Sequence, residues 1–425
     1  MGLQLQKYSE YQQTDLPWLD EVPVHWELKR NKYLLTEKKE VVGNNASDYT
    51  LLSLTLKGII VRDMENPKGK FPAEFNTYKV VYPDDLVFCL FDIEETPRTI
   101  GRAHQKGMIT GAYTVMKCGQ EVSARYLSYY YLSLDYDKRL KPLYTGLRKV
   151  IQHDTFMSLK SPLPPHDEQD CIANFLDQKT VEIEEAIAKK QRLIELLKEQ
   201  KTILINQTVT KGLNPDVPMR DSGAAWVGEV PEDWVVKRAK FLFYEIDERS
   251  QTGAEELLSV SHMTGVTPRS EKNIYMFMAE DYSGSKVCRE GDLVFNIMWA
   301  WMGALGVSDR AGIVSPSYGV YRQRYKGAFN SWFLENLLHS GQYVAEYNRR
   351  STGLHSSRLR LYPDMFFDME IGFPAKLEQD RIEQAIKEKT ADIDNAVSAV
   401  NAEIEALSEY RQVVIAEVVT GKIKL

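Results

Sequence analysis

The sequence predicts an α+β chain with a pseudo-two-fold internal repeat. Two similar mixed α/β globules alternate with two long helices that pair antiparallel as a coiled coil. Three observations predict this. First, the chain repeats itself in register: Trp18-Leu-Asp-Glu-Val-Pro-Val-His-Trp26 returns as Trp226-Val-Gly-Glu-Val-Pro-Glu-Asp-Trp234, offset by 208 residues. Self-similarity at a fixed offset marks repeated structural units. Second, each half carries short β-rich runs punctuated by turn residues and then one helical stretch. Third, isoleucines recur every 11 residues in two turn-free segments: Ile172, Ile183, Ile194 and Ile205, then Ile382, Ile393, Ile404 and Ile415. Eleven residues make three helical turns at about 3.67 per turn, so each stripe runs nearly straight along its helix.

The ordered matches continue along the whole chain. Leu51-Leu-Ser53 returns as Leu257-Leu-Ser259, Asp85-Leu-Val-Phe88 as Asp292-Leu-Val-Phe295, Thr145-Gly-Leu147 as Thr352-Gly-Leu354, and Glu168-Gln-Asp170 as Glu378-Gln-Asp380. Strands are expected in YTLLSLTL, DLVFCLF and AYTVMK of the first half, and in ELLSVS, DLVFNIMW and YGVYRQRY of the second. ARYLSYYYLSL and NSWFLENLLHSG read as helices. Proline-marked segments (SPLPPHDEQ, IGFPAKLEQ) lead into the long helices, and GLNPDVPMRDSGAAW reads as a linker. The Ile stripes are flanked by a second apolar row that includes Ala186, Ala385 and Ala396, small enough for close approach of two backbones. A helix of 40–45 residues spans roughly 60–65 Å at 1.5 Å per residue, too long to bury against one small domain. The eight isoleucines are therefore the candidate helix-pairing residues.

Composition narrows the function classes. No apolar run approaches the roughly 18 residues of a membrane span, and the start, MGLQLQKYSEYQQ, lacks a signal-peptide core. Four cysteines without CxxC spacing read as reduced thiols, so a cytoplasmic protein with no membrane partner is expected. The seven histidines form no ligand spacing with Cys or carboxylates. Walker, Rossmann and His-Glu-x-x-His patterns are all missing. Ser315-Pro-Ser-Tyr318 departs at two positions from the adenine-methyltransferase motif that it faintly echoes. The expectation is no catalytic residue, no metal and no cofactor.

Net charge is −7, yet DNA affinity depends on local basic patches rather than the total. Such patches occur at 98–117, at 138–160 and at 341–362.

The block 214–234, Asn-Pro-Asp-Val-Pro-Met-Arg-Asp-Ser-Gly-Ala-Ala-Trp-Val-Gly-Glu-Val-Pro-Glu-Asp-Trp, resembles the opening of the second recognition domain in specificity subunits of type I restriction-modification systems. The Pro-x-x-Glu-Gln lead-ins at Pro165 and Pro374 are similar to that family too, although they differ by one residue in length. The resemblance covers the duplication and nearly the whole chain. It implies target-recognition domain 1 over 1–165, a central helix over 166–212, target-recognition domain 2 over 213–375, and a C-terminal helix over 376–425. It also implies a non-catalytic subunit whose two domains each read one half of a bipartite, asymmetric target in double-stranded DNA. The paired helices would set the spacing and dock methyltransferase subunits, two of them, with restriction/translocase subunits completing the complex. A related system with a fused modification and cleavage partner is the alternative, as is a coiled-coil adaptor without DNA.

Recognition needs phosphate contacts for register and base-edge contacts for information. The phosphate candidates are Arg98, Arg102, Lys106, Arg148 and Lys149 in the first half, and Arg349, Arg350, Arg358 and Arg360 in the second. The base-edge candidates are Lys57, Arg62 and His104, then His262, Arg269, Asn296 and His355. Met298-Trp-Ala-Trp-Met302 is a further aromatic run that could lie against DNA.

Overall fold

A computed structural model describes residues 6–63, 74–272, 281–353, 355 and 359–425. The chain forms two compact units: residues 1–191 with 401–425, and residues 192–400. Both cuts fall inside long helices rather than at their ends. The helices are His166–Lys211, of 46 residues, and Lys376–Val419, of 44. Neither segment contains Gly or Pro, and each opens with acidic side chains in its first turn (Asp167 and Glu168; Glu378), where the helix dipole favours negative charge. Gly421 closes the second helix at φ +73°; a Cβ there would lie 2.3 Å from Pro23 Cδ. The α+β class and both long helices expected from the sequence are present.

The first unit is organised around an antiparallel sheet in the order Leu35–Lys38, Thr114–Cys118, Leu86–Phe88, Ile100–Arg102. Its inner strand Leu86–Phe88 is buried at all three positions. The helix Ala124–Tyr136 covers one face, where Phe88, Tyr131 and Phe156 pack with ring centroids 4.8–5.6 Å apart. The same core takes Ile172 and Leu176 from the start of one long helix and Ile415, Val418 and Val419 from the end of the other. Burial of these side chains, each worth about 1.5–3 kcal/mol, makes the helix ends part of the unit. Arg411 Nη1 donates to Glu184 at 3.3 Å, and Lys190 pairs with Glu403.

The second unit contains a four-stranded sheet in the order Phe243–Glu245, Gly319–Gln323, Leu293–Phe295, Leu305–Val307, again antiparallel and again with the Leu-Val-Phe strand wholly buried. Its core gathers Phe295, Tyr321, Tyr347 and Phe366, and takes Val209 from one long helix and Ile382 and Ile386 from the other. Lys201 Nζ bridges to Asp394 at 2.7 Å. Of the eight stripe isoleucines, Ile172, Ile183, Ile382 and Ile415 are buried, and Ile194, Ile205, Ile393 and Ile404 are half-buried.

The repeated motifs build the frame. Trp26 and Trp234 are each 1–2% exposed. Their indole N–H groups donate to Glu168 at 3.1 Å and Glu378 at 3.4 Å, which ties the Glu-Val-Pro-x-x-Trp block to the Glu-Gln lead-in of each long helix. The following glutamines are buried. Gln169 accepts from Ser123 N and donates to Glu121 O and Pro164 O; Gln379 accepts from Asn330 N and donates to Ala328 O and Pro374 O. A buried backbone polar group without a partner is costly, so one amide that satisfies three of them fixes the helix start.

Candidate nucleic-acid interface

Antiparallel pairing collects loops at one end of each sheet. In the first unit Phe88 lies opposite both Thr114 and Ile100, so residues 89–92, Tyr113 and Arg98 emerge at the same end. The hairpin Leu52–Thr55/Gly58–Val61 reaches this end with its turn, because Arg98 Nη1 donates to Leu56 O at 2.9 Å. The loop 145–150 joins them: Ile151 N donates to Leu90 O and Asp92 N to Arg148 O. Phe91 stacks on Tyr113 at 6.1 Å, and the Arg148 guanidinium sits 5.3 Å from the Phe91 ring centre.

The second unit gathers equivalent pieces. Phe295 lies opposite Gly319 and Leu305, and Leu361 N donates to Ile297 O, which brings residues 296–299, Tyr318, 303–304 and 361 together. The hairpin Leu258–Ser261/Gly265–Pro268 packs Gly265 against Glu335 and against Gly306. Trp299, about half exposed, stacks on Trp301 at 6.0 Å, and Met302 is also exposed.

The sequence candidates fall into three groups. Lys57, Arg148 and Lys149 stand at the loop-rich end of the first unit, and His262, His355 and Arg360 are exposed in the second. Arg148 pairs with Asp92, and Lys149 with Glu94 and Glu95; Lys149 and Lys141 together hold the Glu94 carboxyl near pKa 2. Exposed ion pairs of this kind contribute little, so a phosphate can replace the carboxylate at small cost. Arg349 is two-thirds exposed, whereas Arg350 is half-buried. Both bond the buried Glu346, whose carboxyl they hold below its ordinary range.

A second group lies at the opposite end of the first sheet or at a hairpin base. Arg102 pairs with Asp84 at 2.8 Å beside exposed His104, and Lys106 lies 4.9 Å from the Tyr49 ring centre. Arg62 and Arg269 occupy matching places, their backbone N–H groups donating to Leu51 O and Leu257 O.

Two candidates are corrected by their surroundings. Arg98 is half-buried, its Nε on Ile100 O and Nη1 on Leu56 O, so it braces the hairpin instead of offering itself to phosphate. Asn296 is 6% exposed and donates to Tyr318 OH at 2.9 Å, so its amide faces the interior. Arg358 lies outside the described residues.

Burial also shifts two groups beside the second hairpin. The Glu335 carboxyl is pushed up by desolvation although Val307 N donates to its Oε2 at 2.8 Å, and the His339 imidazole is pushed down by desolvation. A carboxyl whose folded pKa is raised binds its proton more tightly in the folded chain. Stability therefore falls as pH rises from about 4.3, the unfolded value, through the folded value. Glu335→Gln keeps the acceptor and removes the charge. It is expected to match the wild type near pH 4 and to be the more stable at pH 7, in urea unfolding followed across that range. Parallel curves for the two proteins would contradict this account.

No cluster of three or more His, Cys, Asp or Glu side chains suited to a metal ion occurs among the described residues. Among the described residues no helix is long and apolar enough to cross a membrane.

No family profile matches the chain. In sequence it is 24% identical over 297 residues to the MjaVIII specificity subunit, a type I restriction enzyme subunit of Methanocaldococcus jannaschii. That alignment spans 66% of this chain and 66% of the relative, just under two thirds of its length. In fold it is similar to a chain of a type I restriction-modification assembly, with TM-score 0.63 and 13% identity over 95% of this chain and 99% of that one. It is also similar to the HsdS subunit of Thermoanaerobacter tengcongensis, with TM-score 0.50 and 14% identity over 95% and 98% of the two chains. The chain is thus similar in sequence to a type I restriction enzyme specificity subunit and in fold to an HsdS subunit.

Proposed function

We propose that the chain is the non-catalytic DNA-recognition subunit of a type I restriction-modification complex. Each compact unit reads one half of a bipartite, asymmetric target in double-stranded DNA. The two units are the copies of a duplicated reader, and the long helices pair along their isoleucine stripes to hold the readers at a set spacing. Methyltransferase subunits dock on this helical frame, and restriction/translocase subunits complete the complex. Methyl transfer and cleavage are carried out by those partners.

The observation that carries this reading is the loop cluster at one end of each sheet. Two sheets of the same strand order present loops of different chemistry, as two readers of different half-sites require. Arg148 and Lys149 supply phosphate contacts in one unit, and Arg349 and Arg360 in the other, with Lys57 a base-edge donor in the first. His262 and His355 are retained as base-edge donors or acceptors.

Mapping methylated adenines across the source genome, with and without this chain, tests the proposal. A split, asymmetric motif that loses its methylation when the chain is deleted is the expected result. Purified chain should bind a duplex carrying that motif weakly and with steep salt dependence, each neutralised phosphate adding about −0.9 to the log–log slope. An unchanged methylome together with salt-independent or absent binding would defeat the reading in favour of an adaptor without a DNA role.

A further inference from the structure

Both hairpin turns present a large apolar side chain to solvent. Leu56 is 71% exposed and Met263 is 82% exposed. They occupy the same place in the repeat: each stands two residues before a glycine of positive φ, Gly58 at +94° and Gly265 at +60°, and the offset is 207 residues in both cases. An isolated exposed leucine needs no explanation. The same exposure at the same turn of both units, where the side chains otherwise differ, does.

The turns are held rigid from below. In the first, Lys57 N donates to Thr55 Oγ1 at 3.2 Å and Thr55 Oγ1 donates to Gly58 O at 3.0 Å. The half-buried Arg98 props the turn by donating to Leu56 O. In the second, Thr264 N donates to Ser261 Oγ, the Ser261 and Thr264 hydroxyls lie 2.8 Å apart, and Glu335 fills the space beneath Gly265. Each turn thus rests on a half-buried side chain, Arg98 or Glu335, and these contacts make a firm tip rather than an adaptable loop. Polar neighbours flank both tips: Lys57 follows Leu56, and His262 precedes Met263.

Resting on the DNA-reading function proposed above, we infer that Leu56 and Met263 are apolar wedges that enter the duplex at their respective half-sites and partly unstack a base step. Proteins that deform DNA use protruding apolar side chains in this way, recovering the unstacking cost through the contacts that the deformation permits. Sequence steps that unstack easily then become part of the recognised target, so the wedge contributes specificity without a hydrogen bond. The rigid turn supplies what a wedge requires, since a mobile tip would yield before the base stack did.

The test uses the full chain alone at low salt, so that no base-flipping partner contributes. The probe is a set of duplexes carrying the mapped motif, with 2-aminopurine placed in turn at each purine of either half-site. Wild-type chain should raise the fluorescence at one or two positions in each half. Leu56→Ala should abolish the rise in the half-site of the first unit only, and Met263→Ala in the other only, each with about tenfold weaker binding, as expected on withdrawing one buried apolar side chain. Both side chains are exposed, so unchanged thermal unfolding of the variants is the folding control. Absence of salt-dependent binding by the wild type would remove the DNA reading itself. Binding without any fluorescence rise, or a rise unaltered in both variants, would overturn the wedge and leave the DNA reading standing.

Discussion

Exchanging residues 30–160 for the corresponding segment of a different reader is expected to change one half of the methylated motif and leave the other intact. The structure makes this a clean cut. Arg30 and Lys160 are cross-strand partners in the pair Glu27–Arg30/Lys160–Leu163, so the transplanted segment leaves the frame and returns to it at a single point. Arg238 and Glu370 are partners in the same way in the second unit. Trp26, Glu168 and Gln169 lie outside the exchanged segment, but Gln169 bonds Ser123 N and Glu121 O within it, so a donor must supply that backbone for the long helix to keep its support.

Buried contacts at the junction help decide which donor segments fold. Buried Asn31 donates to Phe156 O at 2.8 Å and accepts from Ser161 Oγ at 2.9 Å. A donor with alanine at that place, as at Ala239 of the second unit, leaves the hydroxyl of Ser161 to Tyr131 alone. Methylome sequencing of cells carrying the chimaera measures the outcome. A change in both half-sites, or in neither, would show that the units do not read separately.

The second large effect is structural. Gln379→Leu is expected to cost on the order of 3 kcal/mol, because it strands the buried carbonyl of Pro374 and the partly buried carbonyl of Ala328 and N–H of Asn330 at about 1–3 kcal/mol each, less the gain from an apolar side chain. That is a large share of the 5–15 kcal/mol typical of a folded domain. For a unit of this size it corresponds to a fall of roughly 10 °C in the unfolding midpoint. Gln169→Leu should act likewise on the first unit. Differential scanning calorimetry of each variant provides the check. A shift below about 2 °C would mean that the amide is not what fixes the helix start.

Much of the fold could be read from local pattern. The Leu-Val-Phe runs are the buried inner strands, and the segments without Gly or Pro are the two long helices, because periodicity and the absence of helix breakers act over a few residues at a time. The motifs that carried the family resemblance were legible as motifs but not as roles. Nothing local says that Trp26 will donate to Glu168, 142 residues away, or Trp234 to Glu378, 144 away.

The candidate site was less legible. Charge and hydrogen-bonding capacity are legible in sequence, but Arg98 and Asn296, which have both, are engaged by the hairpin and the interior. The only sequence signal of Leu56 and Met263 is an apolar residue placed two before a glycine in both halves. Exposure is a property of the assembled surface, and an apolar side chain at a turn reads in sequence like one bound for the core.

The sequence by itself determined the repeated motifs, the α+β class, the two long helices and the family resemblance, because repeat spacing and the 11-residue isoleucine period are written along the chain. Only the tertiary structure decided that the units are cut within the helices, since each core takes the start of one helix and the end of the other. It alone decided which cations are exposed, which are braces, and which apolar tips protrude. Those outcomes depend on desolvation and on partners brought together by folding, Arg98 with Leu56 across 42 residues and Asn296 with Tyr318 across 22, separations over which local pattern carries no information.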